Sequence, residues 1–269
     1  MNVKALRALG LAVGMGIALS GCADIGGGFG PMAGAQDRSQ VSETEAVAEA
    51  ALAGGNYEDA ARLYEKAVED DQNSASAYLG LGQAYMQLGQ LARAEFALRR
   101  AHELDHRSPE VFNAQAALKL EQLHPAEAIT LYDKALARDR KNMSALTGKA
   151  VALDFLSRHQ EAQAIYQEAL RHYPTNFVLL SNYALSQALS GQVGAGLKIM
   201  QELLRDPEMG DSVRGNMAIA YALDGRTREA RAVLEGTISS SEIEQTLASY
   251  AEIRRRFQKG EPIGYLIFS

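Results

Sequence analysis

An interval of 34 residues recurs from Val41 onward, and nothing else in the chain restricts the fold so strongly. Repeat starts at Val41, Ala75, Pro109, Met143, Phe177 and Asp211 give five equal steps with no insertion. Eighth positions are then Ala48, Gly82, Ala116, Ala150, Ala184 and Ala218, and twentieth positions Ala60, Ala94, Ala128, Ala162, Gly196 and Ala230, all small. Twenty-fourth positions are large: Tyr64, Leu98, Tyr132, Tyr166, Met200 and Leu234. Twenty-seventh positions are Ala67, Ala101, Ala135 and Ala169 before the pattern relaxes to Leu203 and Thr237. Each unit has room for a first helix of about 14 residues, a turn at position 15 and a second helix of similar length. Gly55, Gly89, Gly191 and Gly225 supply left-handed backbone at that turn. Small residues at positions 8 and 20 let helix axes approach closely, and the large residue at position 24 fills the space to the next unit. No unit can bury its apolar face alone, so stability comes from stacking. Unrelated helices would not hold one register six times.

This pattern resembles the tetratricopeptide repeat over about three quarters of the chain. Ala101-His102-Glu103-Leu104-Asp105 and Gly82-Gln83-Ala84-Tyr85 sit where that family's characteristic residues fall. The Trp usual near position 4 is replaced by Tyr78, Phe112, Leu146 and Leu180. The resemblance implies an all-α, right-handed superhelical solenoid of six helix-turn-helix units over 41–240. Ser241-Glu242-Ile243-Glu244 has capping-box spacing, and Ile243, Leu247, Tyr250, Ile253 and Phe257 follow at helical spacing, so a capping helix is expected over 241–258. Residues 259–269 form an apolar tail, from Glu261-Pro262-Ile263-Gly264 to Phe268, expected to pack on the last repeats. Gly194 and Gly196 both fall within the second helix of the fifth repeat, where each costs around 1 kcal/mol relative to Ala.

The chain begins with a different signal. Lys4 and Arg7 precede an apolar run, Ala8 to Leu19, that is too short to span a bilayer, which takes about 20 residues. This is the order of a secretory signal peptide, 1–21. It ends in Leu19-Ser20-Gly21-Cys22, which resembles the bacterial lipobox, and Cys22 is the only thiol in the chain. The resemblance implies that Cys22 receives a diacylglycerol and that its freed amine takes a further acyl chain such as palmitate. Two or three acyl chains make attachment effectively permanent, at about 0.8 kcal/mol per buried CH₂. Removing Lys4 and Arg7 leaves 25 bases against 33 acids, so such a protein is held by its lipid and not by anionic headgroups. Ala23 after the Cys resembles the outer-membrane sorting signal of enteric bacteria, so the expected location is the outer membrane, facing the periplasm. Residues 22–40, rich in Gly, Ala, Asp and Ser, read as a tether with a reach of roughly 23 Å and a stretched limit near ~60 Å.

Little in the composition supports chemistry. The net charge of −6 and pI near 5.5 argue against a nucleic-acid surface. A single Cys excludes an internal disulfide framework and a multi-thiolate metal site. No Gly-rich loop follows a strand, and no G-x-S-x-G elbow is present, so no cofactor and no small-molecule substrate are expected. His102-Glu103-Leu104-Asp105-His106 fits H-E-x-x-H, but the repeat frame places His106 at a helix end, and no third ligand follows from spacing. Arg254-Arg255-Arg256 either complements the capping helix's dipole or meets anionic headgroups. The expectation is a protein without enzymatic activity.

In the tetratricopeptide family, first helices line a groove through positions 2, 5, 6, 9, 12 and 13. Carried onto this chain, the lining is Asn113, Ala117, Leu120, Thr147, Val151, Asp154, Phe155, Ser181, Asn182, Leu185, Leu189, Asn216 and Ile219. Asn182 and Asn216 would hydrogen-bond a peptide's backbone while Phe155, Leu185 and Leu189 receive its side chains. Truncating Phe155 and Leu185 together is expected to weaken capture by roughly 1–3 kcal/mol and leave the helices intact. The segments Ser181 to Gly191 and Arg214 to Arg226, and the following Ser-Ser-Glu-Ile-Glu-Gln-Thr-Leu-Ala-Ser-Tyr, resemble the TadD family of lipoproteins in tight adherence (Flp) pilus systems. That resemblance implies a pilotin-like periplasmic scaffold that binds a segment of an outer-membrane secretin subunit. The alternative is an adaptor recruiting peptidoglycan-processing or outer-membrane assembly factors.

Overall fold

The computed structural model describes residues 42–205, 210–235 and 237–267. The signal peptide, Cys22 and the tether lie outside these residues, as does Phe268. Among the described residues there is no strand, only an isolated bridge between Glu235 and Ile238. The helices pair as hairpins: α1 (Glu43–Ala53) with α2 (Tyr57–Asp70), α3 (Ala75–Gln87) with α4 (Leu91–Leu104), α5 (Pro109–Glu121) with α6 (Pro125–Arg138), and α7 (Met143–Phe155) with α8 (His159–His172). They continue with α9 (Phe177–Leu189) and α10 (Val193–Leu203), then α11 (Gly210–Leu223) and α12 (Thr227–Leu234), the long α13 (Ser240–Gln258) and the single turn α14 (Gly264–Ile267). The chain divides into two compact units, which part inside α7 between Lys149 and Ala150. The fold is that of a tetratricopeptide solenoid, built from repeated helix-turn-helix units as the 34-residue register requires.

The register is kept by local hydrogen bonding at the ends of the first helices. Ser74, Ser108, Asn142 and Asn176, the last residues of the first four repeats, accept bonds from the N–H groups of Ala77, Val111, Ala145 and Leu179 at 2.9–3.1 Å. Position 15 has positive φ in every repeat: Gly55 (77°), Gly89 (67°), Leu123 (62°), Ser157 (59°), Gly191 (89°) and Gly225 (80°). At each turn the next residue's N–H closes back on the helix, as in Asn56 to Ala51, His124 to Lys119 and Arg158 to Leu153, the long bond of a Schellman motif. Glycine makes this turn in four of the repeats, as the sequence predicts. The third and fourth repeats make the same turn with Leu123 and Ser157, because the hydrogen bonds, and not the residue type alone, hold it.

Within 42–149 the small and large positions interlock. Ala48, Ala60, Ala94, Ala116 and Ala128 are fully buried. A Cβ on Gly80 would lie 2.2 Å from the Tyr64 ring, and one on Gly148 would lie 2.2 Å from the Tyr132 ring. The tyrosine at position 24 thus lies on a glycine at position 6 of the following repeat. Within 150–267 one core joins Leu185, Leu189, Leu197, Met200, Met217, Ile219, Leu223, Leu234, Ile243, Leu247, Tyr250 and Ile253. Gly196 is a contact requirement there: a Cβ would stand 2.3 Å from the Ala184 carbonyl oxygen. Gly194, two residues away, has open space.

The capping helix begins earlier than expected. Its cap is Ser239, whose N–H donates to Glu242 at 2.8 Å while the Glu242 N–H donates to Ser239 Oγ, so the box is Ser239 with Glu242 and not Ser241 with Glu244. The two boxes overlap in the sequence, and the upstream one adds helical hydrogen bonds without exposing Ile243, Leu247, Tyr250 or Ile253.

Candidate partner-binding face

The residues expected to meet a partner lie on α5, α7, α9 and α11, with α5 in the first compact unit, α9 and α11 in the second, and α7 divided between them. In the unit ending at Lys149, Ala117 and Leu120 are half-buried, and Gln83 and Met86 at the equivalent positions 9 and 12 are likewise half-open. Asn113 is buried and its Oδ1 has no hydrogen-bond partner among the described residues. Thr147 is buried and donates to the Met143 carbonyl at 2.8 Å.

In the unit beginning at Ala150 the same register positions are covered. Val151, Asp154, Phe155, Ser181, Asn182, Leu185, Leu189, Asn216 and Ile219 are all buried. Asn216 Nδ2 donates to Ser181 Oγ at 2.9 Å, so that amide already has a partner inside the protein. Asn182 Nδ2 is buried with no partner among the described residues. Phe155 and Leu185 are core residues, so their joint truncation would leave cavities costing several kcal/mol (roughly 2–5 for each large-to-small change), not the clean loss of binding expected from sequence.

Asp154 departs furthest from a groove-lining role. It is 1% exposed and lies at the centre of a polar cluster: Ser186 Oγ donates to it at 2.7 Å, His159 Nδ1 stands 2.7 Å from the same oxygen, and Tyr166 also hydrogen-bonds to it. Burial pushes its carboxyl above the ordinary value, against the pull of the His159, Ser186 and Tyr166 hydrogen bonds. Gln163 adds bonds to the Ser186 carbonyl and Ser190 Oγ. The cluster ties α7, α8 and α9 together. Hydroxyl and imidazole both address the carboxylate and not each other, which is the geometry of a structural knot and not of an activated nucleophile.

What covers this face includes the C-terminal tail. After α13 the chain turns at Gly260 (φ 69°), and Ile263 and Ile267 enter the core that contains Leu185, Leu189 and Ile219. Gly264 lies directly on the backbone of Phe155: a Cβ would sit 2.1 Å from the Phe155 carbonyl oxygen. Arg256 contacts the Tyr265 hydroxyl. The arginine run divides its work: Arg255 and Arg256 pair with Glu252, and Arg254 lies over the Gly225 turn.

The H-E-x-x-H string does not lie on one helix. α4 stops at Leu104, and Asp105 Oδ1 accepts bonds from the N–H groups of Arg107 and Ser108 at 3.0 Å, which bends the chain at His106. His102 packs on Phe112 with ring centroids 5.2 Å apart. Among the described residues no group of three or more His, Cys, Asp or Glu side chains is placed to hold a metal ion. Sequence reasoning missed the Asp154 cluster and the repeated Ser/Asn caps. The caps were findable, since Ser74, Ser108, Asn142 and Asn176 stand 34 residues apart. The cluster was not, because its members share no spacing.

Comparison with known proteins agrees with this architecture. Residues 51–118, 113–177 and 212–235 match tetratricopeptide-repeat families. The type IV pilus assembly protein PilF of Pseudomonas aeruginosa is 35% identical over 86 residues, 32% of this chain and 34% of that protein, so the match spans about a third of this relative's length. Among solved structures, PilW, described as a widely conserved type IV pilus biogenesis factor, superposes with a TM-score of 0.63 at 22% identity, over 76% of this chain and 96% of that one. Pseudomonas aeruginosa PilF gives 0.52 at 24% identity, over 74% and 97%, and a tetratricopeptide protein from Parabacteroides merdae 0.61 at 14%, over 84% and 96%. At these identities the structural likeness concerns the fold. With the hairpin register, the interlocked small and large positions and the matched families in agreement, the chain belongs to the tetratricopeptide-repeat family.

Proposed function

We propose that this protein is a non-enzymatic periplasmic scaffold, tethered to the outer membrane through lipid on Cys22, that captures a segment of a secretin subunit while a pilus machine of the tight adherence type is assembled. The observation that carries the binding part is Asn113, a buried amide whose Oδ1 has no hydrogen-bond partner among the described residues, on α5 beside the half-exposed Ala117 and Leu120. An unmet amide on such a face is suited to a partner's main chain, and leaving it unmet costs stability that binding recovers. Similarity to a type IV pilus assembly protein supports the pilus context. Tethering raises the effective concentration of groove and ligand at the membrane.

The test is photo-crosslinking in cells from Leu120, which is half-exposed and not part of the buried core, with and without Cys22→Ala. The expected product is a secretin subunit, with the yield falling when Cys22 is replaced. Capture of a peptidoglycan-processing enzyme or an outer-membrane assembly factor would replace the pilus reading with the adaptor reading. Undiminished piliation by a soluble Cys22→Ala protein would remove the tether.

A further inference from the structure

The face of α7, α9 and α11 is covered where the corresponding face of α3 and α5 is half-open. At positions 9, 12 and 13 the former presents Val151, Asp154, Phe155, Leu185, Leu189 and Ile219, all buried, whereas Gln83, Met86, Ala117 and Leu120 keep partial exposure. The tail contributes part of the cover. Ile263 and Ile267 are 2% and 3% exposed, and they stand one helical turn apart so that both side chains enter the same core. Gly264 is the residue that permits this seat, since any side chain would strike the Phe155 main chain, which cannot move aside as a flexible side chain would. Arg256 fixes the aromatic hydroxyl of Tyr265.

α14 is a single turn of four residues, with no stability of its own, so the docking of the tail rests on its tertiary contacts, among them Ile263, Leu266 and Ile267 with the core and Tyr265 with Arg256. It joins α13 through an exposed Lys259-Gly260-Glu261 turn whose bonds, Gly260 N–H to Phe257 and Glu261 N–H to Arg256, close on α13 and not on the face.

We propose that residues 261–267 are an internal ligand of this face, and that the partner binds there by displacing them with a short peptide segment of the same chemistry: two aliphatic side chains one helical turn apart, a glycine after the first and a hydroxylated aromatic within reach of Arg256. This rests on the reading that the first helices capture a protein segment, but it can be tested without the partner.

The experiment uses the full chain, wild type and Gly264→Val, and a fluorescent synthetic peptide of residues 259–269. The variant should release the tail and bind the peptide at least tenfold more tightly than wild type, and a peptide carrying Val in place of the glycine should not bind. A Gly264→Val protein that keeps its helicity and cooperative melting but does not bind the peptide overturns the proposal. Hydrogen exchange on the wild type gives a second readout that does not depend on the variant's folding. Amides of Tyr265 to Ile267 should exchange at least a hundredfold faster than those of Leu185 and Leu189, and exchange in the same slow class would make the tail an integral part of the core. Sedimentation of the wild type as a tail-exchanged dimer would assign the face to a second copy and overturn the partner claim. Peptide binding without secretin crosslinking would sink the proposed function alone, and secretin crosslinking from Leu120 without peptide binding would sink the internal ligand alone.

Discussion

Single residues in this protein carry costs that the repeat accepts in order to keep its register. Ser157 and Leu123 hold left-handed backbone without being glycine, which costs roughly 1–2 kcal/mol each, of which a glycine's greater unfolded-state entropy would give back about 0.5–1. Ser157 is exposed and at that turn only its backbone matters, so Ser157→Gly should stabilise the protein by about 0.5–1 kcal/mol, read as a higher urea midpoint at constant slope. A lower midpoint would mean the hydroxyl does something the turn does not reveal. The Asp154 cluster is costly in another way, since a carboxyl is kept almost without solvent. Ser186→Ala removes one donor from a buried acceptor and should cost roughly 1.5–3 kcal/mol. Because the folded state raises the Asp154 pKa, it binds that proton more tightly than the unfolded chain does. The stabilisation is complete below the ordinary carboxylate range and is lost as pH rises through the raised value. Wild type should therefore lose stability relative to Asp154→Asn as pH rises from about 4 toward neutrality. His159, Ser186 and Tyr166 are the groups that face the carboxyl. A stability difference independent of pH would show that the carboxyl does not titrate within that range.

At the scale of the helix, the twin glycines of α10 separate propensity from packing. From the sequence, Gly194 and Gly196 are the same flaw twice. In the structure Gly194 faces open space, whereas Gly196 brings α10 onto the main chain of α9. Gly194→Ala should gain up to about 1 kcal/mol of helix propensity. Gly196→Ala should instead lose about 1–3 kcal/mol, because a Cβ 2.3 Å from the Ala184 carbonyl forces the two helices apart. Thermal melts of the two variants decide the matter, and equal shifts of the same sign would remove the close-approach account. The end of the array shows the same competition. Position 27 relaxes to Leu203 and Thr237 where the second helices shorten: α10 ends at Leu203, whose side chain packs against the core, and α12 stops at Leu234, before Thr237.

For the molecule as a whole, the hairpin order and the register were legible because they are periodic. The second helices begin at Tyr57, Leu91, Pro125, His159, Val193 and Thr227, in steps of 34, and Ala48, Ala60, Ala94, Ala116, Ala128, Ala150, Ala162, Ala184, Ala218 and Ala230 are all fully buried where the repeat frame needs small residues. The candidate face was legible only as a set of positions. Register assigns Phe155, Leu185 and Ile219 to one side of their helices without stating whether that side meets water, a partner or another part of the chain. A local pattern recurs wherever its short-range physics recurs, so the sequence by itself determined the helices, their turns and the residues that let them stack. The cover over the second unit's face depends on a contact between Gly264 and Phe155, and the buried acid depends on Asp154, His159, Tyr166 and Ser186 meeting from three helices. Those were decided only by the tertiary structure, because no periodic constraint links residues that become neighbours through packing alone.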